Sequence, residues 1–329
     1  MEETTVRCVD LKKWFPVRTG FLGTVFLRKQ LFVRAVDGIS FEIKKGEIFG
    51  LAGESGSGKT TTGRLLLRLL ELTSGKIYFK DKDITKIPDR HLKPLRRKIQ
   101  MIFQDPYESL NPRMTITDIL EEPLRVQGFS DETEIEKKTK AALTDVELVP
   151  PEEFLSRFPH ELSGGQRQRV AAARAFILDP EFIVADEPVS MLDVSTRAEV
   201  LNLMIALVEK YNASFLYITH DLALARHICD RIAIMYLGKI MEQGSVEDVI
   251  YDPLHPYTKA LISAVPVPDP TSQRIEVVIT GEIPSPINIP SGCRFHTRCP
   301  YVMDICRSKE PQYIEIKSKH YVACHLYTK

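Results

Sequence analysis

Residues 48–70 read IFGLAGESGSGKTTTGRLLLRLL, which joins an apolar run, a glycine-rich loop and a leucine-rich stretch. The loop has the spacing G-x-x-x-x-G-K-[ST], and its members are Gly53, Glu54, Ser55, Gly56, Ser57, Gly58, Lys59 and Thr60. Glycines allow backbone N–H groups to curve around the α- and β-phosphates of a nucleotide, the lysine reaches the β/γ oxygens, and the threonine hydroxyl can hold Mg²⁺. Leucines at helical spacing predict a helix over 60–72, whose positive end points at the phosphates and whose first turn adds Thr61 to the predicted contacts.

Other short apolar runs extend this unit into a sheet. Strands are predicted over 36–43, 48–52, 76–79, 99–103, 182–185, 215–219 and 231–236. Residues from about 105 to 175 are more charged and follow a helical period. Apolar strands that alternate with helices are typical of a parallel α/β sheet, which is the fold class that we predict.

The composition is that of a globular chain without a strong overall charge. Its 329 residues include 44 Lys and Arg against 44 Asp and Glu, and 43% of them are hydrophobic. A formal charge of zero argues against a dedicated nucleic-acid-binding protein. No run approaches the roughly 18 apolar residues that span a bilayer, and the acidic, polar N-terminus is unlike a secretory signal. We therefore expect a cytoplasmic protein that can dock on a membrane protein.

Two carboxylates follow a predicted buried strand. The run 182–185 (FIVA) is succeeded directly by Asp186 and Glu187. A carboxylate at the end of such a strand can hold Mg²⁺ through water, and the next one can polarise an attacking water. This is the Walker B arrangement, and together with the phosphate loop it predicts hydrolysis of a nucleoside triphosphate.

The stretch Leu162-Ser163-Gly164-Gly165-Gln166, followed by RQRVAAARAFILDP, resembles the signature of the ATP-binding cassette (ABC) ATPases. The order of motifs also resembles that family: phosphate loop, Gln104 after a strand, LSGGQ, the acidic pair, and His220 after a strand. The resemblance covers about residues 5–250. It implies a P-loop, RecA-like α/β core with an antiparallel β subdomain and an α-helical subdomain at about 105–175. We predict this nucleotide-binding domain over residues 1–251.

The resemblance implies catalytic roles for several side chains. Glu187 would be the catalytic carboxylate, and His220 would contact the γ-phosphate. Gln104 would sense Mg²⁺ and the attacking water and would contact a membrane partner. The implied Mg²⁺ ligands are Thr60, Gln104 and Asp186.

The family also implies a head-to-tail dimer in which each chain supplies half of two ATP sites. The signature residues would face the γ-phosphate of the ATP bound by the other subunit; they are Ser163, Gly164, Gly165 and Gln166. Asp193 would couple the two sites. Phe15 lies where the family has the aromatic residue that stacks on adenine, and the adjacent Trp14 is the alternative.

The composition changes near residue 252, where a proline-rich stretch over 253–290 precedes a cysteine cluster. Because proline at this density prevents a regular helix or a central strand, a small irregular module is predicted over 252–329. The runs HPYTKAL (255–261) and GCRFHTRCP (292–300) resemble the tail of peptide/nickel-type importer ATPases. The spacing Cys293-x5-Cys299-x6-Cys306-x17-Cys324 indicates a metal site rather than disulfides in a reducing compartment. The resemblance implies a [4Fe–4S] cluster, with Zn²⁺ as the alternative.

The resemblance as a whole implies the ATP-hydrolysing subunit of a membrane importer for di- or oligopeptides, bound to the cytoplasmic face of the membrane. ATP and Mg²⁺ are the implied cofactors. The implied partners are a paralogous ABC ATPase in a heterodimer, two transmembrane permease subunits and, indirectly, an extracellular substrate-binding protein. Oligosaccharides and nickel are alternative cargoes. A soluble ABC ATPase of DNA repair or translation is a further alternative, disfavoured by the single cassette and the lack of a long heptad stretch, so no nucleic-acid partner is expected.

Overall fold

The computed structural model describes residues 3–17, 30–264 and 279–328. The middle of the predicted proline-rich stretch, residues 265–278, lies outside the described residues. The strands, in chain order, are β1 (Thr4–Pro16), β2 (Phe32–Lys44), β3 (Ile48–Ala52), β4 (Ser74–Phe79), β5 (Lys82–Asp83), β6 (Ile99–Ile102), β7 (Phe182–Asp186), β8 (Ser214–Thr219), β9 (Arg231–Tyr236), β10 (Lys239–Ser245), β11 (Tyr313–Lys317) and β12 (His320–Ala323). All the predicted strands are present, and the predicted α/β fold class is confirmed.

The α-helices are α1 (Lys59–Leu66), α2 (Lys93–Lys98), α3 (Pro106–Ser109), α4 (Ile116–Gln127), α5 (Glu132–Asp145), α6 (Glu152–Leu155), α7 (Gly164–Phe176), α8 (Val194–Tyr211), α9 (Leu222–Ile228), α10 (Val246–Tyr251), α11 (Pro256–Ser263) and α12 (Asp304–Ser308). Among the described residues, no helix has the length and apolar content needed to cross a membrane.

The chain forms two compact units that interleave along the sequence. The first unit contains Met1–Val6, Ile43–Glu47 and Phe79–Tyr217, and the second contains Arg7–Glu42, Ile48–Tyr78 and Ile218–Lys329. The phosphate loop and the cysteine-rich tail therefore belong to the second unit, whereas the signature and the acidic pair belong to the first.

The first unit combines parallel strands with helices. Strands β6 and β7 pair in parallel, with Ile99 opposite Phe182 and Ile102 opposite Ala185. Every regular element between residues 106 and 176 is helical. Local capping defines these helices, as in α4, where the hydroxyl of Thr115 accepts the N–H of Asp118 and the Asp118 carboxylate accepts the N–H of Thr115. Reciprocal bonds of this kind satisfy backbone groups that the first helical turn leaves open.

The second unit contains a sheet in the order β11-β12-β10-β9-β3. Strands β3 and β9 are parallel, with Phe49 opposite Arg231, and β9 pairs with β10 as an antiparallel hairpin. Strand β12 then pairs antiparallel with β10, and β11 with β12. The end of the chain thus adds two strands to the sheet that carries the phosphate loop on β3.

Two predicted segments differ from the structure. The helix after the phosphate loop ends at Leu66 rather than at residue 72, because Arg68 adopts a left-handed backbone with φ of 54°. The tail is less irregular than expected, since β11 and β12 form there. These strands are short and pair with partners far away in the chain, so the local sequence pattern did not identify them.

A buried carboxylate joins the tail to this sheet. Glu242 on β10 is fully buried. One of its oxygens accepts the N–H of Leu254 at 2.7 Å and lies 2.8 Å from Nε2 of His320, while the other accepts the N–H of His255 at 2.8 Å. Leu254 also packs in an apolar cluster with Val322 and Cys324. Three donors from two segments of the tail therefore depend on one side chain.

We predict that Glu242→Ala lowers the free energy of unfolding of the full chain by about 3–5 kcal/mol, because it leaves buried donors without an acceptor. Chemical denaturation measures this loss. The control is Glu282→Ala, at an exposed position in the same unit, which is expected to change stability by less than about 0.5 kcal/mol. Equal losses in the two variants would show that the buried carboxylate has no special role.

Candidate functional site

The phosphate loop joins β3 to α1 in the second unit. Gly58 precedes the helix with φ of 107°, and no side chain caps the first turn. The first N–H groups of the helix are therefore not used by a cap, which is the arrangement that binds phosphate oxygens at a helix N-terminus. A Cβ atom at Gly53 would overlap the carbonyl oxygen of Met235, and one at Gly58 would overlap that of Ala35. Only glycine fits these two positions.

The side chains of the loop supply further donors. Lys59 is 5% exposed, and its Nζ donates to the carbonyl oxygens of Gly53 at 2.7 Å and of Glu54 at 3.0 Å. The hydroxyl of Ser57 is buried and has no hydrogen-bond partner among the described residues. Thr60, the predicted Mg²⁺ ligand, is partly buried in the first turn of α1, followed by Thr61. The loop thus combines the Lys59 cation, the Ser57 hydroxyl and several backbone N–H groups. Together these groups can bind the oxygens of a polyphosphate.

The first unit brings the side chains of Gln104 and Glu187 together. Nε2 of Gln104 donates to the Glu187 carboxylate at 3.3 Å. Asp186 is 3% exposed at the end of β7, and Glu187 follows it in a left-handed conformation with φ of 45°. The Glu187 carbonyl oxygen accepts both the N–H and the hydroxyl of Ser190. Such a strained, turn-held carboxylate is common at functional sites.

The signature forms the N-terminus of α7, as the sequence predicts. The hydroxyl of Ser163 accepts the N–H of Gln166 at 3.2 Å, and the Gln166 side chain accepts the N–H of Ser163 at 3.0 Å. Ser163 is exposed, whereas Gly165 is buried. The signature serine therefore caps its own helix while its hydroxyl stays accessible at the surface of the first unit.

Asp193 lies close to the signature in the same unit. Its carboxylate caps α8 by accepting the hydroxyl of Ser195 at 2.6 Å and the N–H of Thr196 at 3.0 Å, and these bonds lower the pKa of Asp193. Thr196 also lies directly against Gly165. The loop before α8 and the signature thus form one continuous surface.

Two aromatic residues at the end of β1 differ in their partners. The indole N–H of Trp14 donates to the Asp37 carboxylate at 2.9 Å, and the Arg34 guanidinium lies 4.6 Å from the centre of the Trp14 ring. Phe15 contacts the Lys13 ammonium at 4.9 Å. A cation lies over each ring, but the Trp14 ring is also held by its N–H bond to Asp37. Phe15 therefore stays our prediction for the residue that stacks on adenine.

His220 lies in the second unit, directly after β8. It is exposed, and the next residue, Asp221, caps α9 by accepting the N–H of Ala223 at 2.9 Å. The position at a strand end agrees with the sequence pattern. Its predicted contact with the γ-phosphate stays a prediction.

The four tail cysteines lie in the second unit, and all are free thiols. Cys293, Cys306 and Cys324 are buried, Cys299 is partly buried, and the N–H of Cys293 donates to the Cys306 carbonyl at 2.8 Å. Burial raises the pKa of Cys293 to about 12, and the other three cysteines contribute, so the four thiols are electrostatic neighbours. Within the described ranges, however, no group of three or more His, Cys, Asp or Glu is arranged to hold a metal ion.

Comparisons with known proteins identify the family. Residues 36–190 match the model of the ABC transporter family, and residues 241–306 match that of the oligopeptide/dipeptide transporter C-terminal region. The chain is 49% identical over 330 residues to the oligopeptide transport ATP-binding protein AppF of Bacillus subtilis, covering 99% of this chain and 98% of the relative. The chain belongs to the ABC transporter ATPases.

Other ABC proteins support the family from sequence and from structure. A putative peptide import ATP-binding protein of Brucella ovis is 50% identical over 292 residues, covering 89% of this chain and 92% of the relative. The dimeric cassette MJ0796 bound to ADP and Pi aligns with a TM-score of 0.63 at 30% identity, covering 73% of this chain and 98% of that one. The protein cbiO1 of Clostridium perfringens, part of the ABC transporter complex cbiONQ, aligns with a TM-score of 0.64 at 25% identity, covering 76% of this chain and 92% of that one.

The structure adds contacts to this ABC ATPase that sequence reasoning missed. In the HPYTKAL run, burial lowers the pKa of His255 to about 3, so its neutral ring accepts the N–H of Tyr257 at 3.0 Å and caps α11. The hydroxyl of Tyr257 in turn accepts the N–H of Glu54 in the phosphate loop at 2.9 Å. The Glu54 carboxylate forms two hydrogen bonds with Arg298. The motif was visible in the sequence, but its partners lie about 200 positions away.

We predict that Glu187→Gln binds ATP normally but hydrolyses it at least about 100-fold more slowly. The glutamine can still accept the bond from Gln104, but it cannot take a proton from water. Radiolabelled phosphate release and equilibrium ATP binding measure the two steps separately. Glu209→Gln, at an exposed position of α8, is the control and should hydrolyse ATP at the normal rate. Normal turnover by the Glu187 variant would exclude Glu187 as the catalytic carboxylate.

Proposed function

We propose that this ABC ATPase drives a membrane importer that takes up di- or oligopeptides. The full-length similarity to an oligopeptide transport ATP-binding protein carries this proposal, because it extends through the tail as well as the cassette. The match of residues 241–306 to the oligopeptide/dipeptide transporter C-terminal region supports the same cargo class.

In this proposal the motif residues take the roles that the family resemblance implies. The phosphate loop binds the phosphates through its N–H groups and Lys59, with Thr60 as a Mg²⁺ ligand and Phe15 under the adenine. Asp186 and Gln104 complete the Mg²⁺ environment. Glu187 takes the proton from the attacking water, and His220 contacts the γ-phosphate. The hydrogen bond between Gln104 and Glu187 supports the hydrolytic part of this assignment.

The working form that we propose is a head-to-tail heterodimer with a paralogous ATPase. The relevant surface of the first unit combines the exposed Ser163 with the loop before α8. On that loop Met191 is 66% exposed and Val194 is 81% exposed, and they flank Asp193. Exposed apolar residues beside a polar recognition motif are typical of an interface. The dimeric state of the similar cassette MJ0796 supports this reading.

A second surface of the first unit suits a permease. A cavity of about 340 Å³ begins shortly after Gln104 and includes the exposed ring of Tyr107. Its lining is mixed polar and apolar; the residues are Tyr107, Ser109, Leu110, Asn111, Pro112, Met114, Ile119, Glu122 and Arg174. A partner seated there would be linked through the chain to Gln104, which contacts Glu187. We propose that a transmembrane permease subunit binds here, which places the ATPase on the cytoplasmic face of the membrane.

Isolation of the tagged chain from its native membranes tests this proposal. We expect two polytopic membrane subunits and a second ABC ATPase to co-purify, and the reconstituted complex to hydrolyse ATP faster with a peptide-loaded binding protein. Stimulation by oligosaccharide or nickel instead would change the cargo. Soluble partners alone, or stimulation by nucleic acid, would contradict the importer.

We further propose that the four tail cysteines hold a [4Fe–4S] cluster. Four thiolates can also bind Zn²⁺, which stays the alternative. The four neighbouring thiols provide the complete ligand set that such a cluster takes. The role of the [4Fe–4S] cluster here would be structural, because it would join separate segments of the tail. The apolar core of the tail itself is small.

Anaerobic purification is predicted to give a chain with about four iron and four sulfide ions. Cys306→Ser should lose the iron and lower the melting temperature, whereas Cys8→Ala, in a buried cassette position, should keep the iron. Metal analysis and thermal unfolding are the measurements. One zinc ion per chain would favour Zn²⁺ as the bound metal. A wild-type chain that contains no metal and is no more stable than Cys306→Ser would contradict both the cluster and the zinc site.

A further inference from the structure

We propose that the loop over residues 293–299, here named the arginine loop, positions the ATP site of the second unit, with Arg298 as its principal positioning residue. This inference rests on the proposed ATP site at the phosphate loop. It assigns to the tail a role in nucleotide affinity in addition to its place in the fold.

Arg298 holds the side chain of the second residue of the phosphate loop. Its Nη1 lies 2.7 Å from Oε2 of Glu54 and its Nη2 lies 3.1 Å from Oε1. The side chains of the pair are only 10% and 25% exposed. A guanidinium that donates two parallel bonds to one carboxylate fixes its orientation as well as its distance. The Tyr257 hydroxyl accepts the backbone N–H of the same glutamate, so the tail fixes both parts of Glu54.

The charge of Glu54 explains why this pairing matters for a nucleotide. The carboxylate lies in a loop whose proposed ligand carries several negative charges. A partly buried carboxylate without a partner would repel those phosphates, since screening by water is weaker there. Arg298 neutralises the carboxylate, and its own pKa is raised by the bond to Glu54. The loop is thereby kept compatible with a polyphosphate.

A second arginine of the arginine loop acts on the phosphate loop indirectly, through neighbouring residues. Arg294 is 6% exposed and pairs with Asp37, whose other oxygen accepts the indole N–H of Trp14. Burial raises the pKa of Asp37, but the charge and hydrogen bond of Arg294 outweigh burial and lower it overall. Arg294 also donates to the carbonyl oxygen of Leu237, beside Gly238.

The turn at Gly238 connects the Arg294–Leu237 hydrogen bond to the phosphate loop. The N–H of Gly238 donates to the carbonyl oxygen of Ser57 at 2.8 Å. Arg294 follows Cys293 in the sequence, and Arg298 precedes Cys299. The arginine loop therefore contacts the phosphate loop directly through Arg298 and is linked to it indirectly through Arg294. Each of these arginines adjoins a cysteine of the tail.

Equilibrium binding of MgATP to the full chain tests the role of Arg298. We expect Arg298→Gln to raise the Kd for MgATP about tenfold, equivalent to about 1.4 kcal/mol, with kcat at saturating ATP changed less than about threefold. The double variant Arg298→Gln/Glu54→Gln should recover most of the affinity, because the unpaired carboxylate is then gone. Arg298→Lys, which keeps the charge without the two-bond geometry, should be intermediate. Arg307→Ala, at an exposed position of the same tail, should bind normally.

Thermal unfolding of every variant separates positioning from simple destabilisation. A lower melting temperature with an unchanged Kd, or a double variant no better than Arg298→Gln alone, would overturn the proposal. If Arg298→Gln does not fold, Arg298→Lys with and without Glu54→Gln provides the same comparison. Lys59→Ala tests the underlying site independently: if it binds MgATP normally, the assignment of the phosphate loop fails, whatever the Arg298 variants do.

Discussion

The close packing of the phosphate loop against neighbouring backbone is the constraint on which the second unit depends. Gly53 and Gly58 lie so near the carbonyl groups of Met235 and Ala35 that no side chain fits at either position. The loop can turn its N–H groups outward because its inner side is filled by backbone from β2 and β9. The position of the loop therefore depends on the contacts that hold β2 and β9 in place. Strand β9 forms a hairpin with β10, and β10 pairs directly with β12 of the tail.

The cassette motifs were predictable because their determinants are local. The strand, the glycine spacing and the lysine of the phosphate loop lie within 13 consecutive residues, 48–60, and the Ser163 cap and the Asp186–Glu187 pair are similarly compact. Family resemblance then supplied roles that no local pattern contains. The order of the motifs identified an ATPase, but the bond between Gln104 and Glu187 required the fold to bring together residues 83 positions apart.

The tail could not be predicted in the same way, because its structure depends on distant partners. Strands β11 and β12 are weak β segments by themselves, and they form where β10 offers an open edge for pairing. Glu242 looks like an ordinary surface residue in sequence, yet it is the acceptor for three tail donors. Glu54 was assigned only as a member of the phosphate loop. Its partner Arg298 lies in the run GCRFHTRCP, but nothing in that run indicates a contact with residue 54.

Three of the contacts that attach the tail have a common chemical character. Arg294 with Asp37, Arg298 with Glu54, and Glu242 with His320 are all largely buried polar pairs. Such pairs add little net stability, because desolvation offsets much of their attraction, but they are intolerant of displacement. An apolar contact would have held the tail in several similar positions, whereas these pairs require one. A tail attached in this way is suited to fixing the geometry of the phosphate loop.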